Sequence, residues 1–305
     1  MRLLITGASG LVGAACARAA ARQGHHVIGT VGRWTGEVPG ATELRAVDLT
    51  EATPVIELVR STAPDAIVNA AAEADPAACE AEPRRARRLN VDLPALLAAV
   101  AERTRARLVH LSSEQVFDGE GAPYQPGAAT RPLNLYGRQK VESEQRVLAV
   151  APNSAVVRPP LLLGNSPGGR RSPHEKMLAR WAAGQAVPLY TDEIRQVCPA
   201  DNLAAVLLEL IGRPDLRGIF HWAGTEPVSR WEMGRRIAAH FSVDEKWLVP
   251  MTRADTPAVS ATRPRDLSLE IAPLDRELRV KPVDLAAAVK ELVVPAPIAA
   301  WYSAR

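Results

Sequence analysis

Cysteine is scarce in this chain, with three in 305 residues. Cys16, Cys79 and Cys198 stand far apart and show no metal-ligand spacing. An odd, sparse count of this kind excludes a disulfide framework and suits a reducing compartment. Aromatic residues make up only 4% of the chain. No apolar run is long enough to cross a membrane. The formal charge is only +3. The arginines are scattered except for Arg84, Arg85, Arg87 and Arg88, which fall on a predicted helix and read as its solvated face. Nucleic-acid binding needs a wider basic stripe with aromatics, so no nucleic-acid or membrane partner is expected. The opening MRLLITGASG already reads as a buried strand with no signal peptide before it, and a soluble cytoplasmic location is the expectation. A homodimer is compatible with the sequence.

What is present supports a sizeable core. Apolar residues make up 47% and charged residues 23%, and the length suits one large α/β unit or two intimate domains. RLLIT, HVIGTV, LRAVDL, DAIVNAAA, RLVHLSS and SAVVRPPLLLG read as six strands. Helices are predicted from Ala14 to Gln23, from Thr53 to Ser61, through PRRARRLN and PALLAAVAERT, and from Tyr136 onward. Strands alternating with helices give an α/β fold: a Rossmann-type doubly wound parallel sheet with helices on both faces. After about Gly164 the rhythm becomes irregular. Helices are predicted at Met177–Ala183, Asn202–Ile211 and Arg230–Phe241, strands at RQVCPA and GIFHWAG, polar loop over 250–270, and two short closing helices at Pro273–Leu278 and Pro282–Val293. The expected division is a dinucleotide-binding domain over 1–163 and a smaller, interleaved substrate domain over 164–305, with parts near 195–224 returning to the first.

The chemistry is concentrated in a few places. TGASGLVG puts Gly7, Gly10 and Gly13 between a strand and a helix. The first glycine permits a tight turn, the second lets backbone approach a pyrophosphate, and the third allows close helix–strand packing. NAD sites tend to place a carboxylate after the second strand. HVIGTVGRW offers Arg33 instead, and a guanidinium suits a 2′-phosphate, so NADP (as NADPH) is favoured over NAD. Asp48 either takes the adenine amino group or caps the segment that follows. PLNLYGRQK carries Tyr136 and Lys140 four residues apart on one helical face.

Taken together, Thr6–Gly13, the NAAA run Asn69–Ala72, a serine after the fifth strand and YxxxK resemble the extended short-chain dehydrogenase/reductase family. Within it, Val116–Gly119 (VFDG), Pro132–Lys140, Phe220–Gly224 (FHWAG) and Arg263–Leu269 (RPRDLSL) are similar to the dTDP-4-dehydrorhamnose reductase branch, which includes the regulatory β subunit of methionine adenosyltransferase. The resemblance implies an NADPH-dependent reductase of a nucleotide-activated deoxysugar. Tyr136 is then the general acid, Lys140 lowers its pKa and holds the nicotinamide ribose, and Ser113, rather than Ser112, binds the substrate carbonyl. Ser9, Leu11, Val12, Leu49, Ala70, Ala71, Ala72 and Pro159 join the implied dinucleotide contacts. Asn90 matches a proton-relay asparagine or serves a helix kink. Sugar-nucleotide dehydratases of the family carry an acidic pair after the serine; here it is Glu114 and Gln115, and glutamine cannot abstract a proton. The reductase branch usually has tyrosine at the position of Gln115, a side chain that should face the substrate. Arg195 matches an arginine that pairs with a nucleotide diphosphate, and Arg263 and Arg265 are further candidates. No metal site is implied. An epimerase, another ketone reductase and a non-catalytic regulatory subunit remain as alternatives.

Overall fold

A computed structural model describes residues 1–304. Seven parallel strands form the central sheet: β1 (Arg2–Thr6), β2 (His26–Val31), β3 (Glu43–Ala46), β4 (Ala66–Asn69), β5 (Arg107–Leu111), β6 (Ala155–Arg158) and β7 (Gly218–His221). Their order is β7-β6-β5-β4-β1-β2-β3. The chain therefore winds outward from β1 in one direction, then from β4 in the other. The reversal between β1 and β4 opens a crevice at the carboxyl ends of these strands, where ligands of such sheets bind.

Strand parity explains the two layers. Leu3, Ile5, Val68, Val109 and Val157 face one core with α1 (Leu11–Arg22) and α5 (Ala200–Ile211). Leu4, Ile67, Leu108 and Val156 face the other, with α2 (Ala52–Thr62), α3 (Leu93–Thr104) and α4 (Leu135–Val150). The central strands are covered on both faces, so their sequences read as continuous apolar runs. A third core gathers Met177, Leu178, Trp181, Ile237 and Leu285 under the helices Pro173–Ala182, Arg230–His240 and Leu285–Lys290.

Several elements differ from the sequence expectation. α1 begins at Leu11, three residues early, because the glycine turn leads straight into it. The expected sixth strand is two pieces, Ala155–Arg158 and Leu162–Leu163, interrupted at Pro159–Pro160, which have no N–H to give a ladder. In place of one strand at RQVCPA the chain forms two two-residue strands, Ile194–Arg195 and Cys198–Pro199. GIFHWAG supplies β7, pairing parallel with β6 from Gly218 to His221. Val187–Tyr190 and Leu248–Met251 form a parallel pair that the periodicity did not mark; each contains a proline, and Pro188, Val249 and Pro250 are exposed at the surface. Between Arg87 and Leu93 the helix widens into a π turn, Arg88–Asp92. Among the described residues no helix is long and apolar enough to cross a membrane.

Candidate active site

The glycine turn is shaped by two hard steric constraints. Gly7 has φ +69°, and a Cβ there would lie 2.9 Å from Ala71 Cα. A Cβ on Gly13 would lie 2.2 Å from the Gly7 carbonyl oxygen. Gly10 is different: its Cβ would meet only the Gly7 oxygen, at 3.1 Å, so the protein itself leaves room on that side. No side chain caps the start of α1, and its first turn carries no acid. The free N–H groups and the positive end of the helix dipole therefore remain available to an anion. These features fit the diphosphate of a dinucleotide. Beyond the turn, Arg33 is exposed after β2. Asp48 accepts from the Thr50 N–H at 2.9 Å and the Thr50 hydroxyl at 2.7 Å, which together hold its carboxyl below the usual range. It thus makes a local turn just ahead of α2, whose N-cap is Glu51.

At the carboxyl end of β5, Ser113 and Tyr136 come together. Ser113 opens a short turn and accepts from the Gln115 N–H at 3.2 Å. α4 starts at the Asn134 cap, which accepts from the Gly137 N–H at 2.9 Å and donates to the Gln115 side-chain oxygen at 3.0 Å. Gly137 has no side chain, and a Cβ there would lie 2.2 Å from the Gln115 carbonyl oxygen. The helix can therefore lie directly on the serine turn, bringing the Tyr136 phenol to the Ser113 hydroxyl. Ser112 is turned away and donates to Glu144. Lys140, 2% exposed, donates from Nζ to the Leu111 carbonyl.

Burial decides the charges here. It pushes the Tyr136 phenol up to about 12 against the opposing bond from Ser113, with Cys79, Glu114 and Glu73 adding to the rise. Burial pushes Lys140 down to about 8, partly offset by Glu144. Without a nicotinamide beside it, Lys140 donates to the Leu111 carbonyl and desolvation is the larger effect on the tyrosine. Tyr136 is held as a phenol, the form that can donate a proton.

Beyond Ser113 the cleft is lined by buried charge. Glu193 sits 2.8 Å from Arg263, 3.1 Å from Arg195 and 3.9 Å from Arg230. Burial raises its pKa, but the three guanidiniums outweigh it and hold the carboxylate below its usual range. Glu114 lies 3.2 Å from Arg195, yet burial pushes it up to about 8, with Glu193 adding to the rise. Arg195 favours the ionised form, but it is shared with Glu193, and burial prevails. Among the described residues the Glu114 Oε2 atom has no hydrogen-bond partner. Arg195 differs from the expectation of an open diphosphate ligand. Its guanidinium is 4% exposed and is engaged by Glu114, Glu193 and the Pro264 and Arg265 carbonyls. Arg263 is the more open, at 39%, and lies over the Tyr190 ring. The Gln115 amide oxygen is occupied by Asn134.

Sequence reasoning left unread a buried polar chain. The Ala71 N–H donates to Thr6 Oγ1 (3.2 Å), whose hydroxyl donates to Asn69 Oδ1 (2.6 Å). Asn69 Nδ2 lies 3.0 Å from His110 Nδ1, His110 Nε2 lies 3.1 Å from Ser143 Oγ, and Ser143 donates to the Lys140 carbonyl at 2.8 Å. Thr6, Asn69, His110 and Ser143 are at most 1% exposed. A polar histidine inside the apolar strand RLVHL was the available signal. Glu144 and Arg158 form a second buried pair at 2.6 Å. Asn90 lies in the π turn, accepts from the Glu73 N–H at 2.9 Å and donates to the Gln139 side chain at 2.8 Å. Pro159 lends its carbonyl to the Glu114 N–H at 3.0 Å.

Comparison with known proteins places this geometry. The profile described as RmlD substrate binding domain matches residues 1–296. Methionine adenosyltransferase 2 subunit beta of Bos taurus is 32% identical over 286 residues, covering 90% of this chain and 81% of that protein. The probable low-salt glycan biosynthesis reductase Agl14 of Haloferax volcanii is also 32% identical, covering 91% of this chain and 92% of its own. The crystal structure of dTDP-4-dehydrorhamnose reductase from Yersinia enterocolitica superposes with a TM-score of 0.78 at 25% identity, over 95% of this chain and 99% of that one. This chain therefore belongs to the RmlD substrate binding domain family, in the dTDP-4-dehydrorhamnose reductase branch of the extended short-chain dehydrogenase/reductases, an oxidoreductase type.

Proposed function

We propose that the protein reduces a keto group on a nucleotide-activated deoxysugar, with NADPH as the reductant. The observation that carries the reading is the Tyr136 phenol against the Ser113 hydroxyl at the carboxyl end of β5. A reduced nicotinamide, when bound, supplies the hydride. The Ser113 hydroxyl holds the substrate carbonyl oxygen and orients it. Tyr136 gives its proton to that oxygen as negative charge develops there, and its phenolate is then the charge to be stabilised. Lys140, four residues on, is the nearby cation for that phenolate and the donor for the nicotinamide ribose once it leaves the Leu111 carbonyl. Gly7, Ser9, Gly10, Leu11, Val12 and Gly13 cradle the diphosphate, Ala70 to Ala72 and Pro159 flank the groove, Asp48 and Leu49 border the adenine, and Arg33 takes the 2′-phosphate. Glu114 offers its unpartnered Oε2 to a sugar hydroxyl, and Gln115 and Arg263 line the same side. With glutamine after Glu114, water elimination has no second carboxylate, which favours reduction over dehydration.

The test is NADPH oxidation against a panel of dTDP-4-keto sugars, with wild type and Tyr136→Phe in parallel. Turnover by wild type that the variant loses supports the reading. The 32% identity to methionine adenosyltransferase 2 subunit beta equals that to the glycan reductase and supports a second reading, a dinucleotide-binding regulatory subunit. NADPH binding without oxidation by any sugar of the panel would favour it.

A further inference from the structure

Two contacts outside the catalytic helix bracket the groove. Gly164, at φ +150°, follows the Leu162–Leu163 strand; a Cβ there would lie 3.4 Å from Leu11 Cδ1. Leu11 is the first residue of α1, so the segment begins beside the anion-binding helix terminus. Four residues later it reaches Trp34, just past β2. A Cβ on Gly168 would lie 3.1 Å from Trp34 Cζ3, and one on Gly36 would lie 2.7 Å from Cζ2. Glycine backbone therefore packs against the indole from both segments. From the α1 terminus to the end of β2 is the course that a dinucleotide takes from its diphosphate to its adenosine ribose.

The segment is folded rather than loose. Buried Glu175 accepts from the Ser166 N–H at 2.6 Å, the Ser166 hydroxyl at 2.7 Å, the Arg171 N–H at 2.7 Å and the Ser172 N–H at 2.9 Å. The side chains of Arg170 and Arg171 are exposed beyond this knot. Among the described residues neither they nor Arg33 has a carboxylate partner. Most other arginines near the site are paired, as Arg195, Arg230 and Arg263 are with Glu193.

We propose that residues 165–171 form a strap across the phosphate end of the dinucleotide groove, latched by Trp34, and that Arg170 and Arg171 join Arg33 in reading the 2′-phosphate. This deepens the cofactor reading above and rests on it. Arg33 adjoins Trp34, and Arg170 and Arg171 follow Gly168 within three residues, so three guanidiniums without a carboxylate partner flank the Trp34–Gly168 contact along the chain. They are favourable where a phosphomonoester shares its charge among them. The strap makes cofactor choice a joint property of the β2 loop and the segment after β6, not of Arg33 alone.

The test is calorimetric titration of the full chain with NADPH and with NADH. The proteins are wild type, the double variant Arg170→Ser/Arg171→Ser, Trp34→Leu, and Arg217→Ser as a remote control. The double variant should raise the NADPH dissociation constant about tenfold or more and leave NADH within about twofold. Trp34→Leu should shift the NADPH-to-NADH ratio the same way, and its effect should not multiply with that of the double variant, since both act through one strap. Retained NADH affinity guards against misfolding. A ratio that does not move in the double variant overturns the proposal while leaving the cofactor reading intact. Wild type that binds neither nucleotide overturns both, and wild type that prefers NADH overturns the 2′-phosphate assignment.

Discussion

Replacing Gly137 by alanine adds one methyl group and should cost far more activity than stability. The new Cβ would lie 2.2 Å from the Gln115 carbonyl oxygen and 2.8 Å from Pro132 Cβ, while real Cβ atoms are essentially never closer than 3.0 Å to such neighbours. Relief therefore needs a retreat of at least about 0.8 Å, the gap between those distances. The carbonyl cannot swing aside cheaply, because Asn134 ties the same turn to the helix start on both sides. The separation between Ser113 and Tyr136 must open instead. Overpacking of this kind costs about 1–3 kcal/mol. Alanine returns about 1 kcal/mol through helix propensity and reduced unfolded-chain entropy. The net loss is then at most about 2 kcal/mol, a fall in Tm of several degrees in a chain of this size. Displacing a reacting group by about 1 Å can cost about a hundredfold in rate. Stopped-time NADPH oxidation and thermal unfolding, measured on the same preparation, separate the two. Turnover within threefold of wild type would refute the argument that this glycine sets the spacing of the reacting hydroxyls.

Other consequences are open to direct measurement. Tyr136→Phe should fold and bind NADPH as wild type does while losing about two to four orders of magnitude in turnover; Lys140→Ala should lower rate and NADPH affinity together, and the two changes should be non-additive. Near-normal turnover of Tyr136→Phe would remove the acid from its role. Glu114 holds its proton up to about 8, above the ordinary 4.5, chiefly through burial. Its contribution to stability is full below about pH 4.5 and is lost as pH rises through 8, because the unfolded chain ionises first. Glu114→Gln, neutral at every pH, should flatten the fall of Tm between pH 5 and 9, and an unchanged slope contradicts the assignment. Glu144→Gln strands the Arg158 charge and should cost about 3–5 kcal/mol, read by chemical denaturation; a loss below about 1 kcal/mol would show that the pair is not the buried unit described.

Much of this site was legible because its chemistry is written locally. Gly7, Gly10 and Gly13 fall within seven residues, and Tyr136 and Lys140 share one helical turn, so spacing alone puts them together. The strands of the sheet were legible for a similar reason: burial on both faces leaves apolar runs such as RLLIT and AIVN. What stayed hidden depends on residues far apart in sequence. Arg195 reads as an anion ligand until Glu114, 81 positions earlier by residue number, is found buried against it. The Lys140 amine reads as a cation for Tyr136 until the Leu111 carbonyl takes it. Trp34 carries no signal in the sequence, since its neighbour Gly168 arrives from the other half of the chain. The short strands Val187–Tyr190 and Leu248–Met251 were missed because surface pairing with a proline in each strand leaves little periodicity to find.

The buried chain from Ala71 to Lys140 begins at an N–H that can only donate and ends at a carbonyl that can only accept. Every group between them must therefore point the same way. His110 accepts at Nδ1 and carries its hydrogen on Nε2, so one tautomer alone fits, and protonation to imidazolium would set two donors face to face at Asn69. Burial and the Lys140 charge keep the ring neutral, pushing its pKa well below the usual value. The result is a line of aligned dipoles threaded through β1, β4, β5 and α4, each strengthening the next. Apolar layers fix how far apart these elements lie but tolerate sliding by a fraction of a side chain. A one-way line of hydrogen bonds does not slide: a shift of any strand breaks a donor and an acceptor at once. The turn at Gly7, the run at Ala71 and the backbone at Lys140 thus share a single register, set by the orientation of five hydrogens.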